Sequence, residues 1–303
     1  ACWLTWKTMA DANHLPGQSY IGSTLRQAHT GAGQVLRQAG VDDAMLDAGL
    51  LLAHAVQGDR LTLIKDPQRI LSDVEALTFD QLITARAGRQ PVSRLLGRRE
   101  FWSLDLAVDA AVLDPRPDSE TIVAAALAHL PDVDAAYQII DFGTGSGCLL
   151  LALLMERPGA WGLGLDLSPP AAALARSNAR RLGLSRRAQF VVGDWGQSLS
   201  GQFDLIVSNP PYIPSADIPQ LEPEVRCHDP ALALDGGGDG LAAYQALVPE
   251  LGRLLKPEGH VVLECGQGQI SALEVIVEAA GLRVVDRHMD MAGIDRCLVA
   301  SQK

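Results

Sequence analysis

The sequence has no broad excess of positive charge, no cluster of metal-ligating residues and no apolar run of membrane-spanning length. Each absence removes a class of function. The 303 residues carry 25 basic and 36 acidic side chains, a formal net charge of −11. Residues 1–118 hold 12 basic and 14 acidic groups, and residues 119–303 hold 13 and 22. An enzyme that grips a duplex needs a wide basic face to displace phosphate counterions. The second part of the chain lacks the material for one, so no stable nucleic-acid binding is expected. The five cysteines are odd in number and scattered, and the seven histidines form no group. That pattern leads us to expect reduced cytoplasmic thiols and no metal. No apolar stretch approaches the roughly 20 residues of a spanning helix, and no secretory signal pattern is recognisable. Neither points to a membrane.

What is present falls into parts. Residues 1–20 show no periodicity and are expected to form a poorly ordered tail; the chain begins without Met, and Met9 is a candidate start that the sequence leaves undecided. Residues 21–100 repeat apolar positions at helical spacing, as in Leu46, Leu50, Ala53 and His54, with Gly40, Gly58 and Pro67 as breaks. This predicts a small helical domain, with His54 packed in its core. Residues 101–118 include a run with strand-like alternation, Leu104, Leu106 and Val108, read as a β-hairpin linker. Residues 119–303 alternate strand-like and helix-like segments, the pattern of a parallel α/β sheet.

Within that last part, four candidate strands each end in residues suited to a ligand. The run 138–142 is followed at once by Gly143, Thr144, Gly145, Ser146 and Gly147, then by an apolar helix. Strand, glycine turn and helix N-terminus together suit a nucleotide-like ligand. The spacing departs from the dinucleotide fingerprint, which argues against NAD. The next strand ends near Asp166, which can hold two ribose hydroxyls or simply cap the helix that starts at Ser168-Pro169. A third strand leads to Asp194 and Trp195, an acid and an aromatic placed to bracket an adenine ring. The fourth ends in Asn209-Pro210-Pro211-Tyr212.

Those four residues carry the most chemistry. Consecutive prolines fix φ and remove two N–H donors, leaving carbonyl oxygens without competing donors. The Asn209 side chain adds an acceptor and Tyr212 adds a flat face. Together they can hold a planar NH2 group, accept its two hydrogens and stack on it. The long Pro- and Gly-rich stretch 214–240 is expected to shape the substrate cleft.

These motifs, with Pro115-Arg116-Pro117-Asp118-Ser119-Glu120, Pro230-Ala231-Leu232, residues 237–244, Glu264-Cys265-Gly266-Gln267-Gly268-Gln269, residues 292–296 and the helical stretch 44–101, resemble the HemK/PrmC family. Its members are S-adenosylmethionine-dependent methyltransferases that modify the glutamine of class I peptide chain release factors. The resemblance covers about residues 22–301 and departs from the family pattern at Arg94, Asp114, Ser119 and Cys265. It implies a class I methyltransferase fold, a seven-stranded Rossmann-like sheet whose last strand is antiparallel, with a small N-terminal helical domain for substrate recognition. It implies S-adenosylmethionine as cofactor, held by residues 143–147, Asp166, Asp194, Trp195 and Asn209. Asn209, Pro210 and Tyr212 become the expected catalytic residues, with Pro211 and Arg116 beside them at the substrate. Arg116 reads equally as part of a stiff linker. The expected product is N5-methylglutamine in the Gly-Gly-Gln motif of a release factor, made by a monomer. The catalytic turn leaves open a ribosomal-protein glutamine or an adenine of DNA. Neither Asp194 nor Glu264 is expected to act as a base. A basic group, Arg86, Arg89, Arg94, Arg98 and Arg99, is a candidate dock for an acidic partner.

Overall fold

The computed structural model describes residues 19–197 and 199–303, so nearly all of the expected tail lies outside it. The chain divides into two compact units: one runs to Gly97 and takes in Glu222–His228, the other comprises Arg98–Leu221 and Asp229–Lys303.

The first unit is helical: α1 Leu25–Gln38, α2 Ala44–Ala55, α3 Arg60–Lys65, α4 Asp73–Ala87 and α5 Val92–Leu96. Three starts are set by capping boxes, Thr24 with Gln27, Asp59 with Thr62 and Ser72 with Glu75, each satisfying N–H groups that the helix cannot. The core packs Leu25, Leu36, Leu51, Leu52, Phe79 and Ile83. Tyr20, assigned to the tail, is instead buried against Phe79, their ring centroids 4.8 Å apart.

Two expectations fail in this unit. In α2 the inward face is Ala44, Ala48, Leu51, Leu52 and Ala55, while Leu46 and His54 are exposed. The helix is apolar on most sides, so periodicity did not choose its face. The dock expectation also fails for two members of the basic group, Arg86 and Arg89. Arg86 is buried, donating to Asp47 and to Glu224, both at 2.8 Å. Arg89 donates to the other Glu224 oxygen at 2.8 Å. Glu224 belongs to the helical unit through these two arginines, although it lies in the long loop of the other part of the sequence.

The second unit opens with the hairpin β1 Arg98–Phe101 and β2 Leu104–Ala107. It turns at Trp102 and Ser103, both at positive φ (48° and 60°), as a two-residue hairpin turn requires. The hairpin therefore starts earlier than the sequence suggested. Helix α6 Glu120–Ala128 follows, then β3 Gln138–Phe142, α7 Cys148–Glu156, β4 Trp161–Asp166, α8 Pro169–Arg181, β5 Ala188–Val192 and β6 Phe203–Ser208. The unit ends with α9 Ala242–Leu254, β7 Leu255–Glu264, α10 Ile270–Ala279, β8 Leu282–Met289 and β9 Asp295–Gln302. The seven-stranded sheet has order β5-β4-β3-β6-β7-β9-β8, with β9 antiparallel to both neighbours. This is the expected class I methyltransferase sheet. β7 begins at Leu255, which pairs with Phe203 across a register shift. Buried Ile139, Leu205 and Val207 on one face, and Ile140, Ile206 and Val261 on the other, hold helices on both sides. No helix among the described residues is long and apolar enough to cross a membrane.

Candidate active site

Strand order reverses between β3 and β6, and open α/β sheets bind ligands at such a switch point, beyond the carboxyl ends of the strands. A cleft lies there, within the second unit. Its walls include Gly143, Asp166, Asp194, Trp195, Asn209 and Pro211, with Arg116 and Ser119 at one side and Pro230 and Leu232 from the long loop. All four strand-end motifs thus meet at one place.

The glycine loop is built to leave backbone exposed. Gly143, Gly145 and Gly147 all have positive φ, and a Cβ on Gly143 would meet no atom within 4 Å. Thr144 lines the cleft but is largely buried, and its hydroxyl donates to Asp141 Oδ2 at 2.7 Å. Ser146 is also buried, its hydroxyl without a partner among the described residues, and its carbonyl accepts from Asn178 Nδ2. Asp166 serves the turn as well as the cleft, accepting from Gly145 N and Ser168 N, each at 2.8 Å. Both readings of Asp166 are therefore compatible with its position, since each carboxylate oxygen keeps a further lone pair. Asp194 is exposed, and half-buried Trp195 is held at φ 46° against the core.

A residue without a role in the sequence reading stands behind this loop. Asp141 is 1% exposed, and its Oδ1 has no hydrogen-bond partner among the described residues. Burial, opposed in part by the Thr144 hydroxyl and reinforced by the Asp166 charge, pushes its carboxyl up to about 7. An acidic pair at this edge, Asp166 on the cleft wall and Asp141 buried behind the loop, suits a ligand bearing positive charge. Open glycine backbone, an acidic pair and the Trp195 face therefore fit a sulfonium nucleoside such as S-adenosylmethionine.

Across the cleft, Asn209 follows β6, whose last residue Ser208 is buried and donates to Phe142 O at 2.8 Å. Asn209 Nδ2 donates to Ser119 Oγ at 3.0 Å, and Ser119 Oγ donates to Glu264 Oε2 at 2.6 Å. Tyr212 OH donates to Glu264 Oε1 at 3.1 Å. Pro210 is buried, and its carbonyl accepts no hydrogen bond among the described residues. Arg116 donates to Asp229 Oδ2 at 2.6 Å. The sequence reading also assigned no place to the glycines that pack around Tyr212: a Cβ on Gly236 or on Gly266 would come within 3.0 Å of it.

Glu264 is the most confined charge here. It is 1% exposed, and burial, opposed by the Ser119 and Tyr212 hydroxyls and by Arg296, raises its carboxyl to about 7. The folded value lies above the ordinary carboxylate value, so the folded state prefers the protonated form. Glu264 thus adds stability below about pH 4.5 that is lost as pH rises through about 7. Glu264→Gln removes that loss and keeps the shape. It is expected to raise unfolding free energy at pH 8 by on the order of 2–4 kcal/mol, with little difference at pH 4.5. Denaturant titrations of both proteins at the two pH values check this; equal stability at pH 8 contradicts it.

Two family descriptions match the chain, the PrmC N-terminal domain over residues 27–97 and a methyltransferase domain over residues 133–281. The release factor glutamine methyltransferase of Rhodospirillum rubrum is 49% identical over 88% of this chain and 82% of its own length. That of Caulobacter vibrioides is 47% identical over 91% and 96%. Among solved structures, the hMettl16 catalytic domain, determined with a MAT2A 3′UTR hairpin, has a TM-score of 0.56 at 16% identity. It covers 70% of this chain and 81% of that one, a likeness of fold. Near half of all residues shared across most of the chain is a likeness of a different order, and the chain belongs to the release factor glutamine methyltransferase family.

Proposed function

We propose that the chain transfers a methyl group from S-adenosylmethionine to the side-chain nitrogen of the glutamine in the Gly-Gly-Gln motif of class I release factors. The observation that carries this is a single cleft in which Asn209 and Pro211 of the Asn-Pro-Pro-Tyr turn stand with the open glycine loop. An amide nitrogen shares its lone pair with its carbonyl and is a weak nucleophile. S-adenosylmethionine, when bound, supplies a methyl group already activated as a sulfonium. The protein's work is placement. Asn209 Oδ1 and the Pro210 carbonyl accept the two amide hydrogens, and Tyr212 covers the amide plane and excludes water. Both acceptors strengthen as the nitrogen becomes positive, so they favour the transition state over the bound substrate. No general base is assigned: Glu264 is buried behind the hydroxyls of Ser119 and Tyr212 and does not line the cleft. Asp166 and the glycine loop would hold the cofactor, with Asp194 and Trp195 as the residues for its adenine and Asp141 behind the loop. Arg116, held by Asp229, borders the substrate side.

The protein acts as a monomer in the cytoplasm, where release factors work. The free thiols of Cys148, Cys265 and Cys297 suit that compartment, and the acidic balance suits a protein substrate. Methyl transfer from labelled cofactor tests the reading on a class I release factor, its Gly-Gly-Gln variant lacking the glutamine, a ribosomal protein fraction and adenine-containing DNA. Label on the intact factor alone is expected; label on DNA or on ribosomal protein instead overturns it. Asp166→Ala is expected to weaken cofactor binding by about 1–2 kcal/mol through lost charge-assisted bonds. Equal affinity by titration calorimetry removes Asp166 from the cofactor site.

A further inference from the structure

We propose that Glu264, through the hydroxyl of Ser119, is a positioning residue that dictates which end of the Asn209 amide faces the cleft. This rests on the function proposed above. An asparagine amide has a donor end and an acceptor end of nearly equal shape. Only the acceptor end can hold the NH2 group of a substrate; a flipped amide would oppose donor to donor.

The hydrogen-bond chain prevents the flip. Above about pH 7, where Glu264 is ionised, its carboxylate only accepts, and a serine hydroxyl has a single proton. Ser119 donates that proton to Glu264 Oε2 at 2.6 Å, so toward Asn209 it can only accept. The NH2 end of Asn209 meets that requirement at 3.0 Å, and Oδ1 is left as the end that faces the cleft. The other carboxylate oxygen accepts from Tyr212 OH at 3.1 Å, and the Glu264 carbonyl accepts from Tyr244 OH at 2.7 Å. One buried carboxylate therefore sets the polarity of Asn209 and anchors the ring of Tyr212. Ser119 and Glu264 are 2% and 1% exposed, so their bond is shielded from bulk water. This also gives the Pro115-Arg116-Pro117 segment a purpose. It leads into the short helical turn Pro117–Ser119, which presents the hydroxyl 145 residues away in sequence from its acceptor.

The relay predicts behaviour that loss of packing would not. Gln at 264 has the shape of Glu but carries a donor, so it can donate to Ser119 and reverse the chain. In steady-state assays of the full chain with a class I release factor at pH 8, where Glu264 is ionised, Ser119→Ala and Glu264→Gln should each lower kcat by about 10- to 100-fold, the scale of losing an outer positioning partner. Cofactor affinity by calorimetry should stay within about threefold in both, because the glycine loop and Asp166 are untouched. Ser119→Thr, which keeps the hydroxyl, should recover kcat to within about threefold of the parent. In the ligand-free protein, NMR should show the Asn209 side-chain NH2 protected from hydrogen exchange in the parent and in Ser119→Thr, and unprotected in Ser119→Ala. Parental kcat in Glu264→Gln or Ser119→Ala overturns the proposal, as does a Ser119→Thr variant no better than Ser119→Ala. Parallel loss of cofactor affinity also overturns it, by pointing to a structural role. A parent enzyme that leaves the release factor unlabelled refutes the functional reading instead, and the NMR comparison still tests the relay.

Discussion

Asn209→Ala is expected to lower turnover on a release factor by about 10²–10³, the cost of one preorganised hydrogen-bond partner at a reacting group. Cofactor affinity should stay within several-fold. The size follows from where the residue sits. β6 delivers Asn209 to the cleft from a strand end that cannot drift, since Ser208 is buried and bonded to Phe142 O. The next residue, Pro210, fixes the backbone, so no neighbouring carbonyl can swing in to replace the lost acceptor. Ser119 and Glu264 hold the amide from behind. An acceptor fixed in this way needs no reorganisation when the substrate nitrogen gains charge, and that is why its loss falls on kcat more than on KM. Asn209→Asp separates orientation from mere presence of an oxygen. A carboxylate cannot donate to Ser119, so two acceptors would compete for one hydroxyl proton, and this variant should also be slow. Single-turnover methyl transfer decides between the outcomes; parental rates in the alanine variant would remove Asn209 from the mechanism.

What the sequence disclosed and what it hid divide along a physical line. Parallel strands buried on both faces are short apolar runs, so 138–142 and 203–208 could be read directly, and the glycine and proline turns after them marked the ligand edge. Each such motif is local. Helix α2 was placed but not oriented, because apolar residues lie on most of its faces. Only the buried pairing of Asp47 with Arg86 marks the inward side, and that partner is 39 residues away. The long loop after Tyr212 was expected to shape the cleft. Pro230 and Leu232 line it, yet Glu222–His228 belongs to the helical unit, drawn there by one glutamate between two arginines. Glu264 was recognisable as a strand-end acid before a glycine-rich turn. Its bond to Ser119 was not, since no short-range pattern links them. Contacts made across the sheet by single side chains leave no period in the sequence.

Gly240→Ala is expected to cost as much activity as many direct substitutions at the catalytic turn, although position 240 offers no side chain to the substrate. Gly240 sits at φ +77°, where a β-carbon costs about 1–2 kcal/mol. The new methyl group would also lie 2.5 Å from Gln269 Nε2 and far inside contact distance of the Tyr212 carbonyl oxygen. Those two atoms are bonded to each other at 2.9 Å, and the methyl group would wedge them apart. Neither can retreat easily: Gln269 Oε1 also accepts from Gly266 N at 3.0 Å, and the Tyr212 ring is anchored on Glu264. Overpacking of this kind costs about 1–3 kcal/mol, so unfolding free energy should fall by roughly 2–4 kcal/mol. The backbone that yields is the one carrying Pro210 and Tyr212, and a shift of about 1 Å in positioning groups is worth on the order of 10² in rate. Turnover should fall by that factor while cofactor affinity holds, because the glycine loop faces the cleft from the other strand. Gly238→Ala supplies the comparison. A Cβ there meets nothing within 4 Å, and the variant should match the parent in stability and rate. Parental turnover in Gly240→Ala would mean that Tyr212 is not held where the chemistry needs it. Loss in both variants would instead place the sensitivity in the loop's freedom to move rather than in the glycine cradle.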